Sequence, residues 1–116
     1  MKYFTIFSRL LPIGKQMRAM AMWPFVIVKR SRRAEFTDNV RQHEEIHLKQ
    51  QLELWIVGFW VLYAWYYVRG LLRYHRHLDA YALNPFEREA YAKSGIPGYL
   101  EHRKRFAWRA FLQKTT

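Results

Sequence analysis

The pattern of apolar and polar positions divides the chain into an extended beginning and a helical remainder. Up to residue 30, short apolar runs broken by turn residues predict extended structure. "LPIG", with Pro12 and Gly14, predicts a turn. "MAMWPFVIVKR" is β-prone, but Pro24 cannot donate to a strand ladder, which predicts an edge strand or two short pieces. "KRSRR", Lys29 to Arg33, predicts a basic loop. Thr37 or Asp38 then caps a helix that begins near Asn39. The helical pattern continues through "RQHEEIHLKQQ" into an uncharged run, Leu54 to Val68. Gly58 is a candidate for a close helix contact or a break, and Gly70 for the end of this segment. "YHRHLDAYAL" predicts a short helix or connector. "NPFEREAYAKSG" predicts a further helix, with Asn84 as N-cap, Pro85 in the first helical position and Ser94-Gly95 as the stop. "IPGYL" turns the chain, and "EHRKRFAWRAFLQK" predicts a basic, aromatic C-terminal helix or tail. The expected class is α+β, mainly α: a short N-terminal β element followed by about three helices.

Composition narrows what this chain can do. Its 116 residues suggest one domain, with a modest core. We divide it into a β element with a basic loop (1–36), a helical region (37–95) and the basic aromatic end (96–116). There is no cysteine. Disulfide frameworks, Cys-rich zinc ribbons and Cys nucleophiles are therefore excluded, and any transition-metal site must use His, Asp and Glu. Twenty Lys and Arg against nine Asp and Glu give a formal net charge of +11, which favours anionic partners such as nucleic acid or acidic lipid head groups. Aromatic residues make up 18%. Trp and Tyr beside Lys and Arg suit a membrane–water interface, and they also stack on single-stranded bases. The first residues lack a long apolar stretch with a small-residue cleavage site, so no secretory signal is read there. The expected location is cytoplasmic or membrane-associated.

Chemistry concentrates in Arg41–Gln51, which contains H-E-x-x-H: His43, Glu44, Glu45, Ile46, His47. Residues i and i+4 of a helix lie on one face, so His43 and His47 can offer two imidazoles to one ion. Zn²⁺ takes imidazole nitrogen well and needs no Cys. In enzymes built on this motif the Glu after the first His is the general base, a role that falls on Glu44. The rival reading is a solvated polar turn at the start of a basic helix. Gln50 and Gln51 either line a cleft or support a His, or are polar surface positions. His75, His77 and His102 read as basic surface residues, and Asp79 has no assigned role.

Downstream, Glu87, Arg88, Glu89 and Ala90 spell E-x-x-A. Together the two motifs resemble the gluzincin-type zinc metallopeptidases, and in particular small H-E-x-x-H…E-x-x-A proteins of bacteria and phages. The resemblance covers Arg41–Gln51 and Asn84–Tyr91, and it implies a single zincin-like domain with a two-helix metal site. It also implies that His43, His47 and Glu87 bind Zn²⁺ and that Glu44 acts as the base in hydrolysis of a peptide or protein substrate. The small Ala90 would let the two helices pack closely. Two departures bear on this. Tyr91 stands where many such proteins carry Asp or Asn after the Ala, leaving a phenol to orient a His or to stabilise an oxyanion. Asn84-x-x-Glu87 also matches a capping box; Glu89 is then the alternative ligand, with Ala92 as its small partner. Arg88, Tyr91 and Tyr81 are the candidate oxyanion stabilisers.

The Leu54–Val68 run has three readings: a buried core helix, a segment in or on a bilayer, or half of a dimer interface. The run falls short of the about 20 residues a spanning helix needs, and "YAWYY" resembles an interface belt. Core burial is the preferred reading, with an anionic membrane surface second. Nucleic acid is the less expected partner: Arg30–Arg33 and Arg103–Arg109 supply charge, with Phe106 and Trp108 to stack, but no nucleic-acid-binding motif is present. The alternative function is a non-catalytic, basic membrane- or nucleic-acid-binding protein with a structural metal site.

Overall fold

A computed structural model describes residues 2–9 and 18–112. The "LPIG" turn expected around Pro12 and Gly14 lies outside the described residues. The chain is α+β and mainly helical, as its pattern predicts.

Three short strands come first: β1 (Phe4–Ser8), β2 (Ala19–Met22) and β3 (Phe25–Lys29). They form one sheet in the order β1-β3-β2. β2 pairs antiparallel with β3, Ala19 opposite Val28 and Ala21 opposite Val26; β1 pairs parallel with β3. Pro24 does divide the β-prone stretch into two pieces, through a turn at the cis Trp23–Pro24 peptide. Yet the piece after it, β3, is the central strand, not an edge. Pro24 precedes the ladder, so every β3 residue from Phe25 onward still has its N–H. The alternation of period two turns Ala19, Ala21, Val26 and Val28 to one face, where they meet Leu48 of the first helix as a small buried core. The segment expected as a basic loop after β3 is instead a 3₁₀ helix, Arg30–Glu35, closed by Arg32 on Glu35 at 2.7 Å.

Helix α1 (Asp38–Glu53) starts where expected, with the Thr37 hydroxyl accepting from the Val40 N–H. It does not run on into the hydrophobic segment. Leu54–Ile56 break it, with Trp55 and Ile56 both at positive φ, a region that a β-branched residue such as Ile disfavours. The break falls there and not at Gly58. Helix α2 (Val57–Tyr74) then turns back over the molecule. It is followed by α3 (His77–Ala82), α4 (Pro85–Lys93), α5 (Tyr99–His102) and a last 3₁₀ turn, Ala107–Phe111. The break at 54–56 and the two short helices divide the helical part more finely than the pattern predicts.

One reading of the hydrophobic segment is corrected here. Among Leu54–Val68 only Phe59 is buried, so the run is not a buried core helix. It packs by one edge alone: Phe59, with Leu54, Leu62, Tyr63 and Tyr66 around it, joins Phe86 of α4 and Trp108 in a second core. Among the described residues no helix is long and apolar enough to cross a membrane. The C-terminal segment is likewise no free tail, because Trp108 is buried in this core and the Arg88 guanidinium donates to the Phe111 carbonyl.

Gly70 does not end α2. It marks a close approach of α2 to α3, where an added Cβ would lie 2.9 Å from the Ala80 Cα. Gly70→Ala therefore gains about 1 kcal/mol of helix propensity but forces two backbones apart, at about 1–3 kcal/mol. We expect a net loss of stability in urea unfolding. Gly58→Ala is the control. Its Cβ would meet Leu54 Cβ at an ordinary 3.6 Å, so that variant should be neutral or slightly stabilised.

Candidate metal centre

Antiparallel packing of α1 on α4 is fixed at both ends by glutamines of α1. Near the end of α4, the Gln42 amide donates to the carbonyls of Lys93, Ser94 and Ile96. At the start of α4, the fully buried Gln50 amide donates to the Phe86 carbonyl and to Glu89 Oε1, at 3.1 and 2.9 Å. A third glutamine, Gln51, ties α1 to the sheet, donating to the Ala21 carbonyl and accepting from the Trp23 N–H. Between the two α4 anchors lie His43 and His47, opposite Glu87.

His43, His47 and Glu87 come together. His47 Nε2 is 3.0 Å and His43 Nε2 3.4 Å from the same oxygen, Glu87 Oε1. One ligand atom from each lies within 4.8 Å of the others, and all three residues are buried. This is a group that could hold a metal ion. The tautomer of His47 follows from its neighbours. Both partners of the Gln50 amide nitrogen are acceptors, so Gln50 Oε1 is the atom facing His47 Nδ1, at 2.8 Å. It can only accept, so Nδ1 carries the proton. In the neutral ring Nε2 is then a lone pair aimed at a carboxylate, and two acceptors at 3.0 Å need a cation or a proton between them. Without an ion, burial would lower His47, but the Glu87 charge raises it to about 9. Burial likewise works to raise Glu87, yet the two imidazoles hold its carboxyl well below the usual range. His43 is lowered, by burial against the pull of Glu87.

The second oxygen of Glu87 accepts a hydrogen bond from the Tyr63 hydroxyl at 2.7 Å. Glu87 therefore does not close the capping box that its spacing allows: Asn84 caps α4 alone, its side chain accepting from the Phe86 N–H. Glu89, the alternative ligand, lies away from the histidines. It is held by Arg103 at 2.5 and 3.0 Å, by the Tyr99 hydroxyl and by Gln50. Ala90 is fully buried in α4, whereas Ala92 is exposed.

Glu44 is nearly buried and lines a cleft of about 130 Å³ together with His47, Tyr63, Tyr81 and Glu87. Among the described residues it has no hydrogen-bond partner. Burial pushes its carboxyl up to about 8, with the Glu87 charge adding and the His47 charge opposing. Glu45, one residue on, faces elsewhere and accepts from the Tyr3 hydroxyl at 2.7 Å. The oxyanion candidates separate. Arg88 is committed to the C-terminal segment. Tyr91 packs its ring against His43 and shares a hydrogen bond of 2.9 Å with Tyr81. Burial and the Glu87 charge raise both Tyr81 and Tyr63, so both phenols keep their protons.

His75, His77 and His102 are exposed, and Asp79 pairs loosely with Arg76 at 3.9 Å; none of them enters the group. Tyr63 is the residue of the site that sequence reasoning misses. It is one of eight tyrosines and lies inside an aromatic run, with no spacing that ties it to Glu87. Compared with protein-family models, with curated proteins and with solved structures, the chain matches none.

Proposed function

We propose that the protein is a minimal zinc-dependent metallopeptidase-like hydrolase. In this reading His43 Nε2, His47 Nε2 and Glu87 Oε1 hold the ion, and Glu44 is the general base. The observation that carries it is the convergence of one buried ligand atom each from His43, His47 and Glu87 within 4.8 Å of one another, a two-imidazole, one-carboxylate set that suits zinc. Bound there, zinc supplies a Lewis acid that polarises a carbonyl and makes a water more acidic.

The other roles belong to the chain itself. Gln50 holds His47 in the tautomer that leaves Nε2 free, and Tyr63 fixes the rotation of the Glu87 carboxylate. Glu44 takes a proton from the attacking water and passes it to the leaving amine. Burial works to raise its carboxyl in the metal-free protein, and the charge of a bound ion would oppose that shift. Tyr81 presents a protonated hydroxyl to the same cleft and is the candidate donor to a developing oxyanion. Against a purely structural metal site, Glu44 accepts no hydrogen bond among the described residues and faces the cleft.

Elemental analysis of protein purified without a histidine tag tests the metal. We expect one zinc per chain, lost from His43→Ala and from His47→Ala, and weakened in Glu87→Gln. Full metal content in both histidine variants would overturn the reading.

A further inference from the structure

A surface helix ordinarily turns its apolar stripe to the core and its polar face to water. Helix α2 is apolar on both sides: Phe59, Leu62, Tyr63 and Tyr66 pack into the core, and the outward face is apolar as well. Its outward positions follow helical spacing, Val57, Trp60, Val61, Trp65, Val68 and Leu72, and every one of them is exposed. Trp65 is 61% and Leu72 73% accessible, and Trp55, in the break that leads into the helix, 88%. No charged residue lies between Glu53 and Arg69. From Val57 to Leu72 the stripe is about 22 Å long at 1.5 Å per residue.

Cations stand at both ends of it. Lys49 and Arg105 share a cleft with Leu52 and Trp55 at one end, and Arg69 and Arg73 flank Leu72 at the other. Among the described residues none of these four cations is in an ion pair. We propose that this face of α2 docks on an anionic lipid bilayer, lying in the boundary between head groups and acyl chains. Tryptophans suit that boundary, and the terminal cations meet the head groups. Among the described residues no helix is long and apolar enough to cross, which fits an in-plane position. A second copy of the chain matches the face less well. Paired parallel or antiparallel, the stripe would bring its cationic ends against cationic ends.

The docking surface does not depend on the metal, since none of its residues is a donor to the His-His-Glu group. Trp60 belongs to both the stripe and the wall of the cleft that holds Glu44, so docking brings that wall to the bilayer surface.

Co-sedimentation of the full chain with phosphatidylcholine vesicles, with and without phosphatidylglycerol, tests this. Binding should require the anionic lipid and should survive raised salt in part, because apolar burial is not screened. Val61→Glu with Trp65→Glu, both on the exposed face, should weaken binding at least about tenfold, with unchanged circular dichroism and metal content. Equal binding by that double variant would overturn the proposal. So would complete release at moderate salt. Absence of vesicle binding, with the double variant converting a dimer to a monomer, would assign the face to a second copy instead.

Discussion

Arg103→Ala should destabilise the fold by about 3–5 kcal/mol, the range for removing one partner of a buried ion pair. The Arg103 side chain is 3% exposed and bridges two carboxylates, Glu89 at 2.5 Å and Glu53 at 2.8 Å. Glu89 is wholly buried, and Glu53 also accepts from the Phe106 N–H. Truncation leaves both acids without their counter-charge, and Glu89 has no water to turn to. The effect extends to the site, because Glu89 positions the Gln50 amide and Gln50 positions His47. The pH dependence has a defined sign. Burial works to raise Glu89, but Arg103 foremost among its partners holds it below its ordinary value. A lowered carboxyl stabilises above its unfolded pKa, and that contribution is lost as pH falls. In Arg103→Ala the carboxyl rises instead, so the deficit against wild type should be large at neutral pH and should shrink below about pH 4.5. Urea unfolding at several pH values measures it. A deficit under about 1 kcal/mol, independent of pH, would mean that solvent reaches the pair as it does on a surface.

The parts of this molecule that were legible beforehand are those whose signal is local. Thr37, Asn84, Pro85 and Ser94 mark helix ends through their own backbone preferences, and the helices begin and end at them. The i,i+4 spacing of His43 and His47 places both rings on one side of a helix once the helix exists. Pro24 divides a strand because of its own missing N–H. Other features depend on partners far along the chain. Nothing in "KRFAW" says that Arg103 turns inward to meet Glu53 and Glu89, and nothing in "VLYAW" says that Tyr63 reaches Glu87. The break at Trp55 and Ile56 carries no Gly or Pro; α1 ends where Glu53 is held by Arg103 and the Phe106 N–H. The hydrophobic segment misleads for a related reason. An apolar run signals removal from water, and it does not say whether the cover comes from this chain. The E-x-x-A spacing favours Glu87 over Glu89, but only the distant partners of Glu89, Tyr99 and Arg103, show why Glu89 lies away from the histidines.

Glu44→Gln should have opposite effects on catalysis and on stability, and the pair of outcomes separates a catalytic carboxylate from a structural one. On the proposed mechanism Gln cannot accept the proton, so hydrolysis of any peptide the wild type cleaves should fall by the ~10²–10⁴-fold typical of a lost general base. Zinc content should be unchanged, because Glu44 is not a donor to the ion. Glu45→Gln, whose carboxylate faces Tyr3, should leave the rate near wild type. Stability of the metal-free protein should move the other way. Burial raises the Glu44 carboxyl to about 8, and a group raised in the folded state stabilises fully only below its unfolded pKa. That contribution is lost as pH climbs from about 4.5 to about 8, at about 1.4 kcal/mol per unit. Gln is neutral throughout and carries no such loss. Metal-free Glu44→Gln should therefore match wild type near pH 4.5 and exceed it in urea unfolding at pH 8. His47, which burial works to lower and Glu87 raises to about 9, is also raised by the Glu44 charge; the variant loses that smaller attraction, which reduces the gain at pH 8. A variant with full activity would overturn the mechanism. A variant less stable than wild type at pH 8 would mean that the ionised carboxylate is held by favourable contacts, as a structural residue is. A residue whose removal stabilises the fold and abolishes turnover is one whose burial serves the chemistry.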